Sequence, residues 1–181
     1  MKRDIQEEVI IPEGIQSSLE GNTLTLKGPK GEWKHELTHP KIKWSQKENT
    51  LVIEVKNATK RENRVVNALK AHTKNALQGI QEPYTYKLKV CSGHFPITVS
   101  YKDDKLEVKN LFGEKIPRVL NIKYGVEVKV EGDQISVTSS NKEHVSQVAA
   151  DIENVTKRPG FDQRVFQDGC YIIAKGDKEI K

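Results

Sequence analysis

Cysteine is nearly absent from this chain: 2 of its 181 residues, Cys91 and Cys170, carry thiols. Two thiols cannot build a tetrahedral metal site by themselves, and there is no C-x-x-C pair. The expectation is two small strand residues, unbridged in a reducing compartment. Long apolar runs are missing too. None approaches the roughly 20 residues that span a bilayer, and the start, MKRDIQEEVIIPEG, has no apolar stretch of signal-peptide length. These absences predict an intracellular protein with no membrane partner. The Asn57 and Asn154 sequons, NAT and NVT, then carry no sugar. Charge of one sign is also modest, a net +5 with a pI near 9.1. Such a balance permits an anionic partner without demanding one, so any nucleic-acid face must be local.

Catalytic signatures are lacking as well. The chain has no GxSxG, no GxxxxGK[ST] and no GxGxxG, and GPKG at 28–31 is too short to cradle phosphates. No enzyme activity, cofactor, metal or small-molecule substrate is expected. His72, His94 and His144 have no carboxylate or cysteine partner evident in the sequence and read as structural or exposed. One motif needs a physical answer. HELTH, residues 35–39, matches the zinc-protease pattern H-E-x-x-H, which works only if His35 and His39 sit one helical turn apart. Trp33, His35 and Leu37 alternate, however, and Pro40 pushes His39 toward extended geometry. In a strand, positions i and i+4 lie roughly 13 Å apart. Zinc sits about 2 Å from each ligand, so one ion cannot bridge them.

What is present repeats. With 35% hydrophobic and 30% charged residues, the composition is that of a globular chain with a wet surface. Leu24 and Leu26, then Trp33, His35 and Leu37, then Leu51, Ile53 and Val55 alternate with polar residues, the period of half-buried strands. Val66, Leu69, Thr73, Ala76 and Leu77 then recur at helical spacing. Thr59 and Glu62 predict a capping box, Gly79 a C-terminal stop, and Pro83 a bar to resumption. The same order returns. Residues 103–122 give strand, glycine tip and strand. Val126, Val128 and Val130 precede an EGD turn, and Ile135 and Val137 follow it. A second helix follows, with Ser140 and Glu143 as its expected capping box. AHTKN (71–75) falls on ADIEN (150–154), and Gly31-Glu32 on Gly113-Glu114. The pattern predicts an α+β fold of two duplicated domains, 1–82 and 83–181, each an antiparallel β-sheet with one helix packed on one face. Residues 158–181 have no counterpart in the first copy.

Two stretches look like a binding surface. VKNLFGEKIP, 108–117, places Leu111 and Phe112 at a turn flanked by Lys109 and Lys115. Leaving Phe112 bare forgoes about 1.5–3 kcal/mol of burial. A base stacked on the ring returns about 1–3 kcal/mol. A nucleic-acid partner would therefore account for the exposure; folding back onto the sheet is the alternative. KRPGFDQRVFQDGCYIIAKG, 157–176, interleaves Lys157, Arg158, Arg164 and Lys175 with Phe161, Phe166 and Tyr171, and its Asp168-Gly169 pair predicts a tight hairpin. Cations for phosphate and rings for unstacked bases suit RNA. A hairpin closing the second core is a compatible reading. A protein-interaction module using exposed strand edges and the Leu111-Phe112 tip is the rival function.

HFP (94–96), NLFGEK (110–115), QVAADIENVT (147–156) and RVFQDGCYI (164–172) resemble the L6 family of large ribosomal subunit proteins, nearest its archaeal and eukaryotic branch. The likeness covers essentially the whole chain, with Cys170 standing where an aliphatic residue is expected. It implies a cytoplasmic, ribosome-bound structural protein that binds large-subunit ribosomal RNA near the stalk base and factor-docking region, beside neighbouring large-subunit proteins. The resemblance implies that the second domain is the main RNA contact. By position, the implied contacts are Asn110, Leu111, Phe112, Gly113, Lys115, Arg118, Lys157, Arg158, Arg164, Asp168, Gly169, Tyr171 and Lys175. Lys and Arg would pair with phosphates. Gly113 and Gly169 would admit close backbone, and Phe112 and Tyr171 would pack on sugars or bases. Asp168 would fix its own turn, and Lys27 and Lys30 are weaker candidates in the first domain.

Overall fold

The computed structural model describes residues 3–47, 49–162, 164–176 and 178–180. The chain divides into two compact units, Met1–Pro83 and Tyr84–Lys181. The first holds β1 (Arg3–Ile10), β2 (Gln16–Glu20), β3 (Thr23–Gly28), β4 (Gly31–Glu36), β5 (Ile42–Lys47), β6 (Thr50–Ala58) and α1 (Lys60–Gln81). Its strands form two antiparallel sheets, ordered β1-β6-β5 and β2-β3-β4. α1 packs on β1 and β6 of one sheet and on β3 and β4 of the other. The alternation is the cause: Leu24, Leu26, Trp33, Ile53 and Val55 all turn inward and are buried with Val66 and Ile80 of the helix.

The second unit repeats this plan. It comprises β7 (Tyr84–Cys91), β8 (Thr98–Lys102), β9 (Lys105–Lys109), a 3-10 turn (Leu111–Gly113), β10 (Arg118–Asn121), β11 (Glu127–Glu131), β12 (Gln134–Ser139) and α2 (Lys142–Thr156). Strands β8, β9 and β10 form one sheet. The order β11-β12-β7 reproduces β5-β6-β1, and α2 lies on β7, β12 and β10. Two further strands, β13 (Gly169–Lys175) and β14 (Lys178–Glu179), then extend the sheet beyond β7. The class is α+β and duplicated, with the strands of each copy shared between two sheets.

Several local expectations meet the structure directly. The Thr59–Glu62 capping box is formed. Gly79 does not stop α1: the helix runs on to Gln81, and Glu82, extended ahead of Pro83, caps it. Gly79 is buried within the helix, and proline, lacking an N–H, sets the end. The second capping box is absent, because α2 begins later than Ser140 allows and Asn141 caps it by accepting from Glu143 N–H at 3.0 Å. Asp168-Gly169 is no hairpin. Gly169 opens β13, and the reversal to β14 comes at Gly176. His35 lies in β4 and His39 in the loop beyond, so HELTH is not helical.

Candidate nucleic-acid interface

The site grows from two loops of the second unit. Between β9 and β10 the chain turns with Asn110, Phe112 and Gly113 all at positive φ. Positive φ at a ring-bearing residue is uncommon and must be held by its surroundings. Asn110 anchors the entry by donating to the Pro96 carbonyl at 3.1 Å. Leu111 goes inward and is 1% exposed, inside the second core. Phe112 is half-buried and meets Phe161 at 5.8 Å and Phe166 at 6.1 Å between ring centroids. Phe161 and Phe166 pack edge to face at 4.8 Å. The Arg158 guanidinium lies 4.3 Å from the Phe161 centroid and 5.7 Å from that of Phe112. A cation on a ring face is held flat and in place, with its donors still available.

Ionic and polar bonds tie the two loops together. Arg118 makes a two-pronged bond to Glu114, Nε to Oε2 at 2.8 Å and an Nη to Oε1 at 2.6 Å. Its other Nη donates to the carbonyls of Val155 at 2.7 Å and Lys157 at 3.0 Å, closing the end of α2. Those bonds hold the Glu114 carboxyl below its usual range and raise Arg118 further. Asp168 is buried, which alone would raise its carboxyl. Backbone N–H groups of Gly93 and His94 and the His94 ring outweigh burial and hold it lowered. Thr156 Oγ1 accepts from Cys170 N–H at 3.0 Å, fastening β13 to the end of α2. Burial pushes the Cys170 thiol up to about 12.

The candidates therefore separate. Lys115, Lys157, Arg158, Arg164 and Lys175 are exposed, and Tyr171 is half-buried. Leu111 is corrected to a core residue: its position after a left-handed Asn110 turns it onto the sheet. Arg118 is engaged as a brace. Asp168 fixes the distant loop at 93–94 rather than its own turn. Gly169 is buried under Thr156 and offers its backbone to the protein itself. Lys27 and Lys30 lie on the β3–β4 hairpin of the first unit. His94 was the residue the sequence concealed. Its carboxylate partner, Asp168, is far along the chain, and its ring stacks on Phe166 at 5.3 Å. The HFP triplet was the only local sign. Glu114, the anion that orders Arg118 and approaches Arg158 at 3.9 Å, was also unmarked.

The model of the family described as "Ribosomal protein L6" matches residues 11–83 and again 95–169. The chain belongs to the ribosomal protein L6 family. The double match repeats the division seen in the strand order, and it ends where β13 begins. Three curated relatives, each called "Large ribosomal subunit protein uL6", are similar along nearly their whole length. That of Methanobrevibacter smithii is 38% identical over 171 residues, covering 94% of this chain and 96% of the relative. That of Nanoarchaeum equitans is 40% identical over 184 residues, with 97% and 96% covered. That of Ignicoccus hospitalis is 37% identical over 172 residues, with 92% of each covered. As a member of the L6 family the chain is a ribosomal protein, not an enzyme.

Proposed function

We propose that this protein is a structural component of the large ribosomal subunit, acting in the cytoplasm. It binds large-subunit rRNA through the rim formed by Lys115, Lys157, Arg158 and Arg164, near the region where translation factors dock. The observation that carries the reading is the stacking of Arg158 on the Phe112–Phe161 cluster with exposed cations on either side. The large-subunit names of the L6 relatives support the setting. An immobilised guanidinium loses little freedom when it pairs with phosphate, and the ring edges beside it can meet a sugar or an unstacked base. The ion pairs of Lys157 with Glu153 and of Arg158 with Glu114 are long, 3.9 Å each, and partly open to solvent, so phosphates can compete for both cations.

Gradient sedimentation tests the proposal. The chain is expected to run with large subunits and to leave them only at high salt. On an rRNA fragment, Arg158→Ala and Arg164→Ala should each flatten the log–log salt slope by roughly 0.7–0.9. An unchanged slope removes that residue from the interface. Binding that ignores salt and survives nuclease would replace the RNA reading with a protein one. Directed hydroxyl-radical probing from residue 164 on assembled subunits tests the location; cleavage remote from the factor-docking region would overturn it.

A further inference from the structure

The duplication lets one half of the molecule act as a control for the other. In the second unit, strand β7 does not end its sheet. β13 pairs with it antiparallel from Gly169↔Cys91 to Lys175↔Tyr86. Cys170 and Ala174 of β13 are buried, and α2 packs over the strand. The equivalent strand of the first unit is β1, because β5-β6-β1 reproduces β11-β12-β7. Among the described residues nothing pairs with the outer side of β1, which is eight residues long. Long unpaired edges are templates for another strand unless something covers them.

The space beside that strand is open. A groove of about 390 Å³ runs between β1 and α1, lined by Val9, Ile10 and Pro12 on one side and Lys74, Leu77 and Gln78 on the other. The alignment of AHTKN with ADIEN sets Lys74 on Glu153 and Leu77 on Thr156. Glu153 and Thr156 are the α2 residues beside Cys170 and Tyr171 in the second unit. The helix positions that hold β13 there border an open groove here. Ile10, at its rim, is 76% exposed.

We infer that the outer edge of β1 is a strand-addition site, filled by an extended segment of a neighbouring large-subunit protein lying antiparallel to β1. The mode is β-augmentation: main-chain bonds supply affinity and alternate side chains supply specificity. The incoming strand carries small or aliphatic residues toward α1, as β13 does with Cys170 and Ala174. Leu77 in place of the Thr156 hydroxyl makes this groove more apolar at that point, so an aliphatic residue fits there. Residues on the opposite face alternate with them and are polar, with a Lys or Arg placed to meet exposed Glu8. The partner class rests on the large-subunit reading above.

The test uses the full chain, free and in purified large subunits. Amide exchange over residues 5–10 should slow by about tenfold or more in the subunit. A photoreactive phenylalanine analogue replacing Ile10, a site too exposed to disturb folding, should give a nuclease-resistant adduct mapped to another large-subunit protein. Unchanged exchange at β1 in subunits that contain the wild-type chain overturns the inference. An adduct to rRNA, or a doubled-mass adduct of the chain with itself, overturns the occupant named here. Should the photoreactive variant stay out of subunits, wild-type exchange decides alone. Absence of the wild-type chain from subunits is a separate result: it sinks the ribosomal reading and this partner with it.

Discussion

A Cβ built on Gly169 would lie 3.2 Å from Thr156 Oγ1, at a φ of +153° that L side chains rarely adopt. Gly28 is tighter still, at 2.2 Å from the Ile80 methyl, where Lys30 N–H also donates to the Ile80 carbonyl at 3.2 Å. Ile80 is fully buried and has nowhere to move. Gly28→Ala is therefore expected to cost about 1–3 kcal/mol by overpacking, read as a lowered urea midpoint at constant slope. Arginines at one rim should behave oppositely. Arg118→Ala unties Glu114 and two carbonyls and should cost roughly 1.5–3 kcal/mol in urea. Arg164→Ala should leave that midpoint in place and change only the salt slope of RNA binding. Asp168 adds a pH dependence whose sign follows from its lowered carboxyl. A group lowered on folding stabilises above its unfolded value, about 3.9 for aspartate, and loses that contribution as pH falls through the folded value. Wild type is expected to lose stability below about pH 4 more steeply than Asp168→Asn. Parallel acid curves would show that Asp168 does not hold the 93–94 loop.

Elements here are governed by their ends. α1 starts with a reciprocal cap in which Thr59 and Glu62 satisfy each other's backbone, and that bonding lowers the Glu62 carboxyl to about 2. α2 starts with Asn141 alone. Thr59→Ala and Asn141→Ala should each cost about 1 kcal/mol. Only the Thr59 variant should also weaken the acid sensitivity, because Glu62 contributes above the ordinary carboxylate range and fades toward its folded value. Far-UV circular dichroism through an acid titration separates the two. At its other end, α2 has no basic residue in its last turn, and Arg118 from β10 supplies donors to its carbonyls instead. A strand thus closes a helix, which ties the candidate RNA rim to the stability of the second core.

At the scale of the whole chain, the two copies differ in what completes them. The second carries its own extra strand, and the first leaves the matching edge to another molecule in our reading. Truncation after residue 157 removes β13 and β14, exposes β7, and deletes buried Cys170 and Ala174. The product is expected to show a lower thermal midpoint and to aggregate, through the same kind of edge that lies open on β1. A truncated chain that melts at the wild-type temperature would show that the extension is not part of the second core.

Alternation and helical spacing along the chain were enough to determine β3, β4, β6 and β9 to β12, both helices, the duplication and the α+β class, because these signals are local in sequence; β1, β2, β7 and β8 were not read from it. The interleaving of cations and rings along 157–176 marked Lys157, Arg158 and Arg164, long solvated side chains that stay exposed in almost any packing. Tertiary structure alone decided which apolar residue of the Leu111-Phe112 pair was buried, since one left-handed residue, Asn110, sets the direction of the next. It alone joined His94 to Asp168 and Arg118 to the end of α2, pairs separated by whole elements. Sequence patterns report what a residue's neighbours along the chain require. Where a carboxylate finds its donors, and which sheet edge is left without a strand, depends on how distant segments meet.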